Sequence, residues 1–150
     1  MIVLKTDTKY FGEIEFDEKD IIRFERGLLG FEEIKKYILI DNPETGGIFK
    51  WLQAADRPEP AFVVMNPYYI CADYEFDIPN GTVNKLGIEK PEDIVVLTIV
   101  VVPEDISKMT TNLKAPLIIN TRNNKAEQLV LEDDRYSLKH PVANSMRDAG

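Results

Sequence analysis

The sequence predicts an all-β fold: a single-domain, mostly antiparallel β-barrel-like (split-barrel) structure with a few short helices. Short runs of β-branched and aromatic residues recur along the chain and are separated by turn-forming stretches rich in proline, glycine and asparagine. A parallel α/β sheet would need a helix between most of its strands, and the sequence offers few helical stretches. The 150 residues are enough for one hydrophobic core, so we expect one domain over residues 1–150.

Eight strands are predicted. In the first of them Ile14 and Phe16 alternate with glutamates, so both apolar side chains share one face. The longest run is almost entirely β-branched and ends at Pro103, which indicates a central strand. In chain order the predicted strands are residues 11–16, 21–24, 37–40, 49–54, 61–65, 94–102, 116–120 and 128–131.

Three short helical segments interrupt this pattern. Phe31, Ile34 and Tyr37 are spaced three apart, which predicts one or two helical turns after Gly30. Two further short helices are expected around residues 68–72 and 80–86, within the longest stretch that has no strand pattern. The last residues, roughly ten, are weakly patterned, and we expect them to fray.

Charge and composition limit the possible partners. The chain has 26 acidic and 18 basic residues and a net charge of −8, and its cations are scattered along the sequence. Nucleic acid binding needs a concentrated basic surface, so no direct contact with nucleic acid is expected. An acidic surface serves either solubility or the encounter with basic proteins. No apolar run is long enough for a membrane span, no signal peptide is visible, and the single cysteine fits the cytoplasm.

No residues combine into a convincing catalytic or metal site, and no cofactor is expected. His140 is the only histidine and is expected at the surface near the fraying end, while Cys71 has no adjacent base and is interpreted as a buried structural residue. The acidic clusters at 103–106 and 132–134 lack the spacing of a calcium loop and are interpreted as caps of turns. Elimination therefore favours a protein that acts through protein contact over an enzyme. A small-ligand- or flavin-binding barrel remains an alternative.

Several separated motifs are more specific than composition. They are quoted from the sequence as GLLGFEEIKKYIL, FKWLQAADRPEPAFVV, NPYYICADYEF and TTNLKAPLIINTRNNKAEQLVL. Together they resemble the bacterial flagellar assembly factor FliW family over nearly the whole chain. The matching motif residues are Gly27, Gly30, Phe31, Trp51, Leu52, Gln53, Thr110, Asn112, Leu113, Ala115, Pro116 and Asn120. Leu29 and Ala54 depart mildly from the usual family pattern of proline and serine.

The resemblance implies a non-enzymatic cytoplasmic regulator with one FliW-like β-barrel domain and no cofactor. Members of the family bind CsrA, a basic RNA-binding dimer that represses flagellin translation, and relieve the repression without competing for the RNA site. They also bind flagellin, which sequesters them in a partner-switching circuit.

Two sets of residues receive predicted roles. The predicted protein-binding residues are acidic and would face the basic partner: Asp73, Glu75, Asp77, Glu132, Asp133 and Asp134. The motif residues are predicted to be scaffold, with Trp51 in the core and Lys114 pointing outward. Within residues 110–120, Asn112 is expected to tie the loop backbone and Pro116 to begin a strand, although a contact role for this stretch stays open.

Overall fold

The computed structural model describes residues 2–143, which form β-strands, a short α-helix and several 3-10 turns. The helix α1 covers Asn80–Leu86. The strands in chain order are β1 Val3–Thr8, β2 Gly12–Asp17, β3 Ile22–Phe24, β4 Lys36–Asp41, β5 Phe49–Ala54, β6 Ala61–Met65, β7 Ile94–Val101, β8 Thr110–Thr111, β9 Leu117–Asn120, β10 Lys125–Gln128 and β11 His140–Pro141.

Seven of these strands close into a barrel. They pair in the order β7, β6, β5, β4, β3, β10 and β9, and β9 pairs back with β7. The pairing of β3 with β10 is parallel, and the other pairings of the barrel are antiparallel. The prediction of an all-β, mostly antiparallel barrel-like fold is confirmed.

Side chains fill the interior of the barrel. Phe24, Tyr37 and Leu52 have no exposed surface, and the Phe24 and Tyr37 rings meet edge to face with centroids 5.6 Å apart. Because side chains alternate along a strand, Leu52 and Ala54 point inward while Gln53 between them points outward. Each fully buried large apolar side chain contributes about 1.5–3 kcal/mol, so this core accounts for much of the stability.

A hairpin of β1 and β2 packs on the outer face of β4 at Ile38 and Ile40 and leaves Lys36 exposed. Ile14 and Phe16 of β2 pack against Ile38 and Ile40 of β4. β2 matches the first predicted strand within one residue. β1 was missed because only Val3 and Leu4 of its six residues are apolar, and its half-buried face continues with Thr6 and Thr8. The hairpin thus lies outside the barrel as an added layer.

Trp51 lies on the outer wall of the barrel, so its predicted place in the core is wrong. Its neighbour Leu52 points inward, and the alternation of side chains directs Trp51 outward. There it is half-buried beneath Phe11, with ring centroids 4.9 Å apart.

The predicted strand at 128–131 is displaced, because the observed strand β10 is Lys125–Gln128. The next residue, Leu129, lies opposite Pro116 and donates its amide to the Pro116 carbonyl at 2.9 Å. Since proline has no amide proton to return, the ladder of β9 and β10 ends there.

The helical turns predicted after Gly30 are also wrong, because residues 28–34 form consecutive tight turns. The amide of Phe31 donates to the Leu28 carbonyl, and that of Ile34 to the Phe31 carbonyl, at 2.8 and 3.1 Å. Gly27 and Gly30 both have positive φ, which ends any regular right-handed helix at these positions.

Of the other two predicted short helices, one is confirmed. α1 has the bounds predicted for it, whereas the segment around 68–72 contains only the single 3-10 turn Pro67–Tyr69. The last residues were predicted to fray, but residues 140–143 are ordered in the fold. β11 pairs with β8 and Val142 is buried, while residues 144–150 lie outside the described part.

Helices of residues 2–143 are all too short to cross a membrane.

Candidate functional site

Four of the six acidic residues predicted for protein binding line one groove. Glu75 and Asp77 come from the segment between β6 and α1, while Glu132 and Asp133 follow β10. The groove has a volume of about 780 Å³, and we call it the acidic groove. The rest of its lining is mostly apolar and includes one cation: Phe76, Pro79, Leu129, Val130, Leu131 and Arg135.

Arg135 joins the two walls of the acidic groove. Its Nη2 lies 2.7 Å from Asp133 Oδ2, and its Nη1 lies 3.7 Å from Glu75 Oε1. Hydrogen bonds from Arg135 hold the pKa of Asp133 below its usual value. Within residues 2–143, Asp77 and Glu132 form no ion pair. One guanidinium faces four carboxylates, so the groove is net negative.

Two buried tyrosines position the acidic walls, and the sequence interpretation missed both. The Tyr74 hydroxyl donates to the Leu113 carbonyl at 2.5 Å, and the Glu75 amide donates to the Tyr136 hydroxyl at 3.0 Å. The two rings meet edge to face with centroids 4.7 Å apart. For Tyr74 a signal was present, because it stands between Asp73 and Glu75 and neighbouring side chains of an extended segment point to opposite sides, which directs the ring inward when the carboxylates are exposed.

The remaining two predicted acidic residues, Asp73 and Asp134, are exposed but do not line the groove. Asp73 Oδ1 instead lies 3.4 Å from the Sγ of Cys71. Cys71 was predicted to be buried, but it is only half-buried. Burial and the hydrogen bond to Asp73 raise the pKa of the Cys71 thiol. A raised pKa keeps the thiol protonated, which disfavours nucleophilic chemistry.

The loop before β9 supports the acidic groove through its contact with Tyr74. The Asn112 side-chain oxygen accepts hydrogen bonds from the amides of Lys114 and Ala115, at 3.1 and 3.0 Å, as the predicted backbone tie requires. Leu113 is buried and carries the carbonyl that binds Tyr74. Lys114 is half-exposed, and its charge adds to the lowering of the pKa of Asp133. Ala115 and Pro116 are buried beside this turn.

We expect Asn112→Ala to lower the free energy of unfolding by about 1–3 kcal/mol, because it leaves two loop amides without their acceptor. Chemical denaturation measures this loss, and Asn112→Asp, which keeps an accepting oxygen, is the matched control. A scaffold role predicts that the folded Asn112→Ala protein binds protein partners as well as the wild type. Wild-type stability combined with lost binding would instead make the loop a contact surface.

The glycine motif forms a tight turn that requires glycine. A Cβ at Gly27 would lie 2.6 Å from the backbone oxygen of Glu32, so only glycine fits. The Gly30 amide donates to the Glu32 carboxylate at 3.0 Å, which occupies the donor that a phosphate would use. Phe31 packs edge to face on Phe62, with centroids 5.1 Å apart.

In the W-L-Q motif, Gln53 shapes the loop between β5 and β6. Gln53 is fully buried, and its Nε2 donates to the carbonyls of Ala54, Arg57 and Pro58 at 3.0, 3.3 and 3.2 Å. The Lys9 amide of the hairpin donates to the same Pro58 carbonyl at 2.9 Å. This motif therefore connects the barrel wall to the hairpin.

Two buried polar side chains fasten α1 to the barrel. Asn120 Nδ2 donates to the carbonyls of Leu86 and Gly87 at 2.9 and 3.2 Å. Glu127 accepts from Thr82 at 2.5 Å and from Lys85 at 3.1 Å. Burial alone would raise the pKa of Glu127, but these hydrogen bonds outweigh it and lower the pKa. Asn120 is one of the predicted scaffold residues of the motif, whereas no sequence pattern pointed to Glu127.

His140 is half-buried in β11, so its predicted place at a frayed surface is wrong. Burial lowers its pKa.

The acidic clusters cap turns as predicted. Asp105 and Asp133 accept hydrogen bonds from the amides of Ser107 and Arg135 at 3.1 and 2.9 Å. Among residues 2–143, no three His, Cys, Asp or Glu side chains are placed to hold a metal ion.

Comparison with known proteins identifies the family. A family model described as FliW protein matches residues 5–142. This chain belongs to the FliW family. It is 42% identical over 146 residues to the flagellar assembly factor FliW of Caldanaerobacter subterraneus subsp. tengcongensis, with 97% of each chain covered. It is 46% identical over 140 residues to that of Alkaliphilus metalliredigens, which covers 93% of this chain and 86% of the relative.

The fold is also that of a solved FliW structure. A crystal structure of the flagellar assembly factor FliW superposes with a TM-score of 0.85 and 36% sequence identity, covering 92% of this chain and 96% of the other. The resemblance inferred from the motifs is thereby confirmed, and the chain is a member of a family of flagellar assembly factors.

Proposed function

We propose that this chain is a non-enzymatic, cytoplasmic regulator of flagellum assembly that binds CsrA and relieves its repression of flagellin translation. Flagellin is the second proposed partner and sequesters the chain, so that the two partners exchange on it. The partners come from the family resemblance. The observation that supports this proposal is the acidic groove, whose carboxylates are held in place by buried tyrosines.

Electrostatic complementarity makes CsrA a suitable partner for the acidic groove. CsrA carries a basic surface that binds RNA phosphates, and complementary charge accelerates the encounter of two proteins. A stable interface buries about 800 Å² on each side, so the contact extends beyond the groove to exposed neighbours such as Asp73 and Asp134. We place the contact away from the RNA site of CsrA, so that RNA affinity falls through coupling between two sites.

Titration of a preformed CsrA–RNA complex with this protein tests the proposal. The expected result is release of labelled RNA as the protein binds CsrA. Tight association with CsrA that leaves its RNA affinity unchanged would contradict relief of repression.

A charge-reversal pair tests the acidic groove itself. The double variant Glu75→Lys with Asp77→Lys should bind CsrA at least about tenfold more weakly, equivalent to about 1.4 kcal/mol. The matched control is Glu13→Lys with Glu18→Lys, because both residues are exposed and belong to the hairpin region that packs on β4. In the barrel β4 lies opposite β7 and β9, and the segments that form the acidic groove pack over β7 and β9. The control residues are therefore on the other side of the barrel from the groove. Equal losses in both double variants would mean that net charge alone drives binding.

The alternative of a small-ligand- or flavin-binding barrel would need space inside the barrel. The interior is instead filled by fully buried side chains such as Leu52, Val64 and Leu117. This packing favours the protein-binding proposal.

A further inference from the structure

Three cations form a row across the outer face of β4, β3 and β10. Arg23 of β3 pairs in register with Lys36 of β4 on one side and with Lys125 of β10 on the other. Ile22 and Phe24 belong to the barrel core, so Arg23 between them points outward. All three cations are exposed. We call this feature the basic row.

The basic row has no internal charge partner. No carboxylate in residues 2–143 forms an ion pair with any of its three members. Paired strands are about 4.8 Å apart, so three like charges stand on backbone positions that span about 10 Å. Like charges directly opposite each other destabilise a sheet. Three cations that are far apart in the sequence therefore come together at this place in the fold.

On the side of α1 the surroundings of the basic row are mostly cationic, whereas the groove on the hairpin side contains the exposed carboxylates Glu15 and Asp20. A groove of about 460 Å³ beside the basic row is also lined by Lys35, Lys85 and Glu25. Lys85 pairs with Glu127, and the Lys35 ammonium donates to the backbone carbonyl of Glu32. Glu25 is the only carboxylate in the lining of this groove. In a chain of net charge −8, solubility does not require such a concentration of cations.

We infer that the basic row is a docking site for a short acidic segment of another protein. Carboxylates three or four residues apart on a helix lie about 5–6 Å from each other, which is close to the spacing of the strands. An acidic helix laid across β4, β3 and β10 would therefore bring successive carboxylates to Lys36, Arg23 and Lys125. Arg23 at the centre offers a fork that binds a carboxylate through two hydrogen bonds. This inference does not depend on the identity of the partners proposed above.

A peptide fits this surface better than a nucleic acid does. Single-stranded nucleic acids gain affinity by stacking bases on exposed aromatic rings, and the aromatic side chain in this groove, Phe24, has no exposed surface. An extended polyanion would also reach beyond the basic row onto a protein surface that is acidic overall. A short acidic segment needs only the row.

The test uses a fluorescent alanine-based helical peptide of about 15 residues, with glutamate at every fourth position, and its glutamine counterpart. Fluorescence anisotropy should show that the full-length protein binds the glutamate peptide and not the glutamine peptide. Binding should weaken as salt rises from about 10 mM to about 150 mM, because the Debye length falls from about 30 Å to about 8 Å. Arg23→Thr with Lys125→Thr should weaken binding at least about tenfold.

The matched control is Lys90→Thr with Lys108→Thr, which removes the same charge from two exposed lysines elsewhere. The control should bind the peptide as the wild type does. Thermal unfolding of Arg23→Thr with Lys125→Thr should have an equal or higher midpoint than the wild type, since repulsion within the row is removed. This readout separates lost binding from lost folding.

Four results would overturn the inference. The first is that the glutamate peptide does not bind at low salt, and the second is that both double variants lose equal peptide affinity. The third is that a single-stranded RNA of similar length displaces the peptide from the row. The fourth is that the protein forms a salt-sensitive dimer that Arg23→Thr with Lys125→Thr abolishes. The last two would assign the row to nucleic acid or to a second copy of this chain.

Discussion

Gly27→Ala should lower the free energy of unfolding by about 3 kcal/mol or more. The residue has a φ of +66°, a conformation that costs other L-residues about 1–2 kcal/mol. Its new Cβ would also lie 2.6 Å from the oxygen and 2.7 Å from the Cα of Glu32. These are backbone atoms that no rotamer change can move away, so the turn between β3 and β4 must shift, and overpacking of this kind costs a further 1–3 kcal/mol, roughly.

Gly30→Ala separates the two contributions to this loss. Gly30 also has a positive φ, of +86°, but a Cβ there would meet nothing within 4 Å. Gly30→Ala should therefore cost only about 1–2 kcal/mol, from the conformation alone. Urea denaturation of both variants gives the comparison. Equal costs would show that the close approach to Glu32 is not what requires glycine at Gly27.

Strands with strong local signals were predicted well. β5 and β6 have the predicted bounds because each is a run of apolar and β-branched residues between clear turns. β10 was displaced because its ends depend on closure of the barrel between β3 and β9, which no local pattern encodes. The turns after Gly30 were mistaken for helix because apolar residues spaced three apart can serve turns as well.

The candidate site was predicted in part. Charge and resemblance led to the proposal of Glu75, Asp77, Glu132 and Asp133 as binding residues. Their meeting in one groove depends on tertiary contacts such as that between Glu75 and Tyr136, 61 residues apart. The separation of Asp73 and Asp134 from the groove depends on the same contacts.

The basic row is less predictable still. Arg23, Lys36 and Lys125 lie in three separate parts of the sequence and meet only through strand register. A shift of one residue in that register would turn a side chain to the other face of the sheet, so charge composition gives no hint of the row.

The fold places two surfaces of opposite charge on one barrel. The acidic groove is carried by segments that pack over β7 and β9, while the basic row lies directly on β4, β3 and β10. A partner with a basic surface and a partner with an acidic segment could therefore use different faces of the chain. The strength of each contact depends on how firmly its side chains are positioned, and for the acidic groove the positioning rests on Tyr74.

Tyr74→Ala should lower the free energy of unfolding by about 3–5 kcal/mol, the usual cost of removing a buried aromatic ring. The ring is nearly fully buried and contacts Tyr136 and Phe76 at centroid distances of 4.7 and 5.2 Å. Its loss also removes the hydrogen bond to Leu113 that fixes the groove wall. Differential scanning calorimetry measures the stability, and CsrA titration below the unfolding transition measures binding.

Tyr74→Phe distinguishes support of the fold from support of the groove. It keeps the ring and removes only the hydroxyl that donates to the Leu113 carbonyl, so it should cost about 1 kcal/mol and leave CsrA binding within about threefold of the wild type. Folded Tyr74→Ala should bind CsrA at least about tenfold more weakly, because Glu75 and Asp77 lose the ring that orients their segment. Wild-type binding by folded Tyr74→Ala would mean that ordered walls are not needed, and that charge near the groove is sufficient.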